Sequence, residues 1–362
     1  MTTPTNTQYW VALSLIPGLG NISLRKLLQA FGEPEKIFAT DYNSLKLHVR
    51  EPVARAISNG IDLTTTAPTI DWLDQANNHV ITFSDEDYPK PLLQISDPPP
   101  IFYLKGQRAL LNRPSLAIVG SRNATPQGLK NAEAFAQSLS NSGFCIVSGL
   151  ALGIDAAAHR GGLNGSSGSL AVVGTGLDIV YPARNRDLAH LLADNGAMLS
   201  EYPLGVPAIA GNFPKRNRII SGLTQGCLVV EAALQSGSLI TAKLAAEQGK
   251  EVFAIPGSIH SPLSKGCHSL IKQGAKLVES AHDILEELGQ LMPDEMQPVH
   301  PPQKTNTTDH PLLESLGFET TDIDTLANRS GLTTERVCAM LLELELEGRV
   351  ASLPGGQYQR IC

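Results

Sequence analysis

Through the middle of the chain, short aliphatic runs alternate with helix-spaced apolar positions. Leu116-Ala117-Ile118-Val119, Cys145-Ile146-Val147, Leu170-Ala171-Val172-Val173, Cys227-Leu228-Val229-Val230 and Val252-Phe253-Ala254-Ile255 are short and rich in β-branched residues, and Gly or Ser follows closely. Unbroken apolar runs of this length between helical patterns mark parallel strands buried on both faces, so the pattern predicts a doubly wound α/β domain.

The flanks read differently. Near the start, Trp10 to Ile16 is followed by Pro17-Gly18-Leu19-Gly20 and then by Leu24, Leu27, Leu28 and Phe31 at helical spacing. This predicts a helix, a Gly-rich turn and a second helix. Such hairpins can grip phosphate through backbone N–H groups, but Arg25 and Lys26 are the only nearby cations, which favours a structural hairpin. At the far end, helices are expected over 312–316, 323–329 and 334–347, with Thr333 as an N-cap. Residues 349–352 and 358–361 flank a Pro354-Gly355-Gly356 turn, and three helices plus a hairpin form a winged-helix pattern. Proline-rich stretches around 97–100 and 293–302 mark edges. The expected division is an N-terminal helical domain over 1–80, a central domain over 81–290, a linker over 291–309 and a winged-helix domain over 310–362.

Charge changes this picture unevenly. The chain carries a net −7, yet residues 101–290 hold 16 basic and 13 acidic side chains, against 7 and 11 before them and 5 and 11 after. If any segment meets phosphate, it is the middle one. Five scattered cysteines, none in a C-x-x-C pair, indicate reduced thiols, with no disulfide framework and no metal site; Cys267-His268 alone is too little for one. Neither a signal peptide nor an apolar run of membrane-spanning length is apparent, so a cytoplasmic location away from the membrane is expected.

The turns after the strands are built from small or polar residues: Gly120-Ser121-Arg122, Ser148-Gly149, Gly174-Thr175-Gly176 and Ser236-Gly237-Ser238. In a doubly wound sheet these strand ends lie together and form a cleft of backbone N–H donors at helix N-termini, a general anion site. One such turn means little, because glycine is a common way to turn a chain; four in one sheet carry weight. The strongest local feature is Phe213-Pro214-Lys215-Arg216-Asn217-Arg218, read as a solvated strand-end loop running into a helix. Arg forks match phosphate oxygens, Lys adds a point charge, and Phe213 offers a face for an unpaired base. The candidate strand-binding residues are therefore Gly120, Ser121, Arg122, Ser148, Gly149, Gly174, Phe213, Lys215, Arg216, Asn217, Arg218, Ser236, Gly237 and Ser238. In the third helix of the winged-helix segment, by contrast, Glu335, Glu343, Glu345 and Glu347 outnumber Arg336, which argues against duplex DNA and for a protein-contact or regulatory role.

The same motifs, joined by Gly153-Ile154-Asp155, Leu177-Asp178, Tyr181-Pro182, Asn185, Glu231-Ala232, Leu239-Ile240-Thr241-Ala242 and Pro256-Gly257 in this order, resemble the DNA-processing protein A (DprA/Smf) family over about residues 115–260. The resemblance implies an extended Rossmann-like central domain that binds single-stranded DNA, protects incoming strands and loads the RecA recombinase during natural transformation. It also implies a homodimer joined through that domain, an N-terminal helical domain of sterile-alpha-motif type and a C-terminal winged helix, with no catalysis and no cofactor.

Two enzymatic readings compete. A dinucleotide oxidoreductase needs G-x-G-x-x-G at the first strand-to-helix turn, whereas Gly174-Thr175-Gly176 has two of the three glycines and follows a later strand. A Rossmann-like nucleotide phosphoribohydrolase is the better rival. Its Pro-Gly-Gly-x-Gly-Thr run is missing, although Asp155, His159 and Glu231 remain as a conceivable acid–base set. No G-x-S-x-G elbow and no P-loop pattern occurs.

Overall fold

The computed structural model describes residues 4–289 and 311–361; the 291–309 linker expected from the sequence lies outside them. Helices α1 (Asn6–Leu15), α2 (Asn21–Phe31), α3 (Pro34–Ala39), α4 (Tyr42–Lys46), α5 (Glu51–Ser58) and α6 (Leu63–Leu73) come first. They close over a core of Leu13, Leu24, Leu27, Ile37, Leu45, Val53 and Ile57. Thr5 and Gln8 form a capping box at the start of α1. The predicted hairpin is α1 and α2, and its cation is committed: Arg25 donates to Asp97 at 2.6 Å and to the Pro98 carbonyl at 2.8 Å.

The central sheet contains β1 (Asn78–Thr82), β2 (Ile101–Gly106), β3 (Ser115–Val119), β4 (Cys145–Ser148), β5 (Ser169–Val172), β6 (Ala197–Ser200), β7 (Gly226–Val229), β8 (Glu251–Ala254) and β9 (Lys276–Leu277). Its order is β1-β2-β6-β5-β4-β3-β7-β8-β9. From β6 to β9 every pair is parallel, whereas β1 and β2 are antiparallel additions at one edge. The five aliphatic runs are β3, β4, β5, β7 and β8. The pattern did not reveal β1, β2, β6 or β9.

Helices α7 (Lys90–Leu93), α8 (Pro126–Asn141), α9 (Ile154–Asn164), α10 (Arg186–Asn195), α11 (Asn212–Leu223), α12 (Ser238–Glu247), α13 (Lys265–Lys272) and α14 (Ala281–Glu287) accompany the sheet. One cluster packs Val119, Val147, Val172 and Val229 with Ile219 and Ala245; a second packs Leu116, Ile118 and Ile146 with Ala136 and Ala157. Alternate residues of the same strands enter different clusters because successive side chains point to opposite faces. Burial on both faces is why these strands read as continuous apolar runs.

Order reverses at β3: the chain adds β4, β5 and β6 on one side of it and β7, β8 and β9 on the other. Ligands of open α/β sheets bind at such a switch point, beyond the carboxyl ends of the strands.

The last unit comprises α15 (Pro311–Leu316), β10 (Thr321–Asp322), α16 (Ile323–Ser330), α17 (Thr334–Leu346), β11 (Val350–Leu353) and β12 (Gln357–Arg360), with sheet order β10-β12-β11. Leu312, Leu326, Val337, Leu341 and Leu344 form its core. Thr333 takes the N-cap position, but its side chain makes no capping bond.

Candidate nucleic-acid interface

A cleft of about 650 Å³ opens at the switch point between β3 and β7. The turn after β3 supplies Gly120, Ser121 and Arg122; the turn after β7 supplies Ser236, Gly237 and Ser238 at the start of α12; α11 supplies Phe213, Arg216 and Asn217. These nine of the sequence-predicted residues are brought to one place. Arg122 and Lys215 are exposed, though Lys215 sits outside the lining. Ser148, Gly149, Gly174 and Arg218 do not line the cleft either.

The basic run is not a loop. Lys215 to Arg218 belong to α11, with Pro214 in its opening turn, where the missing N–H removes no intrahelical bond. A helix aims consecutive side chains in different directions, about 100° apart. Lys215 therefore faces solvent, while Arg216 is buried at 5% exposure. Its Nη1 donates to the Gly149 carbonyl at 2.7 Å and to the Val172 carbonyl. Its buried Nε–H has no hydrogen-bond partner among the described residues, which suits a residue at the floor of a site for an anion. Burial lowers the Arg216 pKa to about 10, against the pull of Asp155, so the guanidinium stays protonated at neutral pH.

Arg218 is turned elsewhere. It forms a fork with Glu201 at 2.7 and 2.6 Å and donates through Nε to Asp97, whose other oxygen holds Arg25. Asn21 donates to the same Glu201. This network ties α2, the 97–100 segment, the end of β6 and α11 together.

The residues read as a conceivable acid–base set have other partners. Gly149, Leu150 and Ala151 form a tight turn with Leu150 at φ 59°. Asp155 accepts from Gly149 N and Ala151 N, and His159 Nε2 accepts from Leu150 N. Asn185 donates to the Leu150 and Ala151 carbonyls, and Arg216 takes the Gly149 carbonyl. All six backbone polar groups of the turn are thus met by four side chains, which holds a non-glycine residue in the left-handed region. A Cβ on Gly149 would lie 2.4 Å from Arg216 Nη1, so only glycine lets that guanidinium reach the carbonyl.

Since His159 accepts at Nε2, its Nδ1 carries the proton and bonds Ser169 Oγ at 2.8 Å. Burial drives the His159 pKa down to about 3 and raises that of Asp155. Ser148 is likewise buried, its hydroxyl donating to the Ile118 carbonyl at 2.7 Å. Glu231 accepts two bonds from Thr125 at the head of α8.

Tyr181 is the functional candidate that sequence reasoning missed. It is 49% exposed, lines the cleft and sits 5.4 Å from the Phe213 ring, centroid to centroid. Phe213 in turn covers Gly174. The signal was an aromatic a few residues beyond the Gly174 turn. The two rings make an apolar wall against which a base can stack. Among the described residues no group of His, Cys, Asp and Glu is placed to hold a metal ion, and no helix is long and apolar enough to cross a membrane.

The family model for DNA recombination-mediator protein A matches residues 79–289, and that for the DprA winged helix domain matches 296–356. Protein Smf of Escherichia coli (strain K12) is 41% identical over 366 residues, covering 99% of this chain and 97% of its own. The crystal structure of DNA processing protein A from Streptococcus pneumoniae superposes with a TM-score of 0.70 at 39% identity, over 79% of this chain and 99% of that one. DNA processing protein A from Helicobacter pylori, solved for its single-stranded DNA binding mode, gives 0.54 at 31% identity over 59% of this chain and 96% of its own.

Proposed function

The chain belongs to the DNA recombination-mediator protein A family, and we propose on that premise that its switch-point cleft binds single-stranded DNA. The observation that carries this reading is the meeting of a buried, ionised Arg216 with the Arg122 turn, the α12 N-terminus and the Tyr181–Phe213 wall in one open cleft. Phosphate suits the first three and an unpaired base the last. A base locked in a duplex cannot reach such a wall, so single strands are preferred.

The bound strand is protected and passed to a RecA-type recombinase in the cytoplasm during transformation, without chemical change. A physical argument against phosphoribohydrolase chemistry is that both ring nitrogens of buried His159 are engaged, by Leu150 N and Ser169 Oγ, and that one Asp155 oxygen is held by Gly149 N and Ala151 N. The protein acts as a homodimer. We place the second copy at the β9 edge of the sheet, where exposed Leu234, Ile259 and Leu277 line a groove with Lys265, His268 and Lys272.

The test is titration of labelled oligo-dT and a matched duplex at two salt concentrations. With Arg122, Lys215 and Arg216 each meeting a phosphate, log affinity for the single strand falls against log salt with a slope of about −2 per monomer. Two sites in a dimer make long oligomers bind more tightly than short ones. Preference for duplex, or a flat salt response, would count against the cleft; release of free base from nucleotides would revive the enzymatic reading.

A further inference from the structure

Glu231 leaves the sheet where the two walls of the cleft part. It follows β7, and the chain runs from it through Ala233 and Gln235 to the Ser236–Ser238 turn. Its contacts reach across to the other wall. The Glu231 carbonyl accepts from Ser121 N at 2.7 Å. Its carboxylate accepts from Thr125 N at 2.9 Å and Thr125 Oγ1 at 2.6 Å. Thr125 then caps α8 through Gly128 N at 2.9 Å. The first turn of α8 closes tightly over this carboxylate: a Cβ at Gly128 would lie 2.4 Å from Glu231 Cδ.

Both ends of the 121–125 turn are therefore fastened to one residue, and between them stands Arg122, exposed at the cleft. Among the described residues no cation pairs with Glu231, and Glu231 is not part of the cleft lining.

We propose that Glu231 is a positioning residue for strand binding, which acts by holding the Arg122 turn at a fixed distance from the Ser236–Ser238 turn. The inference rests on the cleft reading and deepens it. Its sign separates it from simple electrostatics. A carboxylate near a phosphate chain repels it, so removing the charge by Glu231→Gln tightens binding if Glu231 is only a bystander. If Glu231 positions Arg122, the same substitution loosens binding. An amide can offer its oxygen to one Thr125 donor, but its NH2 group then faces the other.

The experiment is a double-mutant cycle on the full chain, reading oligo-dT affinity by fluorescence anisotropy at two salt concentrations, with thermal unfolding as a control. Arg122→Ala is expected to weaken binding about tenfold and to make the salt slope shallower by about 0.7, one phosphate contact. Glu231→Gln is expected to weaken it about three- to tenfold and to shift the slope in the same direction, because Arg122 is displaced from its phosphate. In the double variant the Glu231 effect should shrink to within about twofold.

A weakened Arg122→Ala beside an unchanged or tighter Glu231→Gln overturns this inference alone. So does a double variant whose loss is the product of the single losses. An unaffected Arg122→Ala sinks the cleft reading and this inference with it. Should Glu231→Gln lose cooperative unfolding, Thr125→Ala takes its place in the cycle under the same expectations, and Thr125→Ser, which keeps the hydroxyl, should restore affinity.

Discussion

Helices α11 and α17 both stand where a nucleic-acid contact would be sought, and they resolve oppositely. In α11 three cations fall within four residues, yet each has a different fate: Lys215 in solvent, Arg216 in the floor of the cleft, Arg218 in a carboxylate network. In α17, the third helix of the winged unit, Glu335, Glu343 and the C-cap Glu347 are exposed beside Leu342 and Leu346, at 59% and 82% exposure. One helix commits two of its three cations to internal contacts, and the other presents charge of the sign that phosphate avoids. Charge in a motif states what a residue can do; helical phase and burial decide what it does.

The comparison breaks most visibly at Arg216. Replacing it with Ala leaves the Gly149 and Val172 carbonyls without their donor and Asp155 without its neighbouring charge. A loss of about 3–5 kcal/mol is expected, read as a large fall in the thermal midpoint before any DNA is added. For the same reason a triple Glu substitution of Lys215, Arg216 and Arg218 tests the fold rather than the strand contact.

A second effect comes from the scaffold beneath the cleft. His159 is held neutral, with its pKa lowered from 6.5 to about 3, so the unfolded chain binds the extra proton in that window. Stability from this group is intact above about pH 6.5 and declines as pH falls toward 3, by at most about 1.4 kcal/mol per pH unit. Midpoints measured from pH 7 to pH 4 should fall less steeply in His159→Gln than in wild type. Parallel curves would show that acid acts elsewhere.

Smaller effects sharpen the division within α11. Arg218→Ala strands Glu201, whose side chain is 10% exposed, and should cost about 1–3 kcal/mol while leaving oligo-dT affinity unchanged below the midpoint. Lys215→Glu should do the reverse, with an unchanged midpoint and about tenfold weaker binding. If the two variants behave alike, the helix is not partitioned as its geometry indicates.

Smallest of all is removal of residues 300–362. The segment 291–362 carries 5 basic and 11 acidic residues, and Lys130 of α8 now donates to the Gly348 carbonyl. Its loss should leave affinity equal or up to about twofold tighter. A large drop would mean that the winged helix touches the strand.

Much of this was legible in one dimension. Five of the nine central strands announced themselves because burial on both faces demands an unbroken apolar run. The four that did not are of other kinds: β1 and β2 lie at an edge, β9 has two residues, and β6, Ala197–Ser200, is as long and as buried as β4 but holds no β-branched residue. The glycine and serine turns after β3 and β7 marked the end of the sheet where the cleft opens, since small residues let backbone N–H groups converge. What the sequence by itself determined was the doubly wound plan, the family and the kinds of side chain available at the cleft. Which of them face it was decided by tertiary structure. The roughly 100° step between helical neighbours separates Lys215 from Arg216, and the order β5-β4-β3-β7 brings distant turns side by side. Asp155, His159 and Asn185 converge on one strained turn from 4 to 35 positions away. Spacing alone cannot distinguish such convergence from a catalytic set, because hydrogen-bond capacity is spent in space, not along the chain.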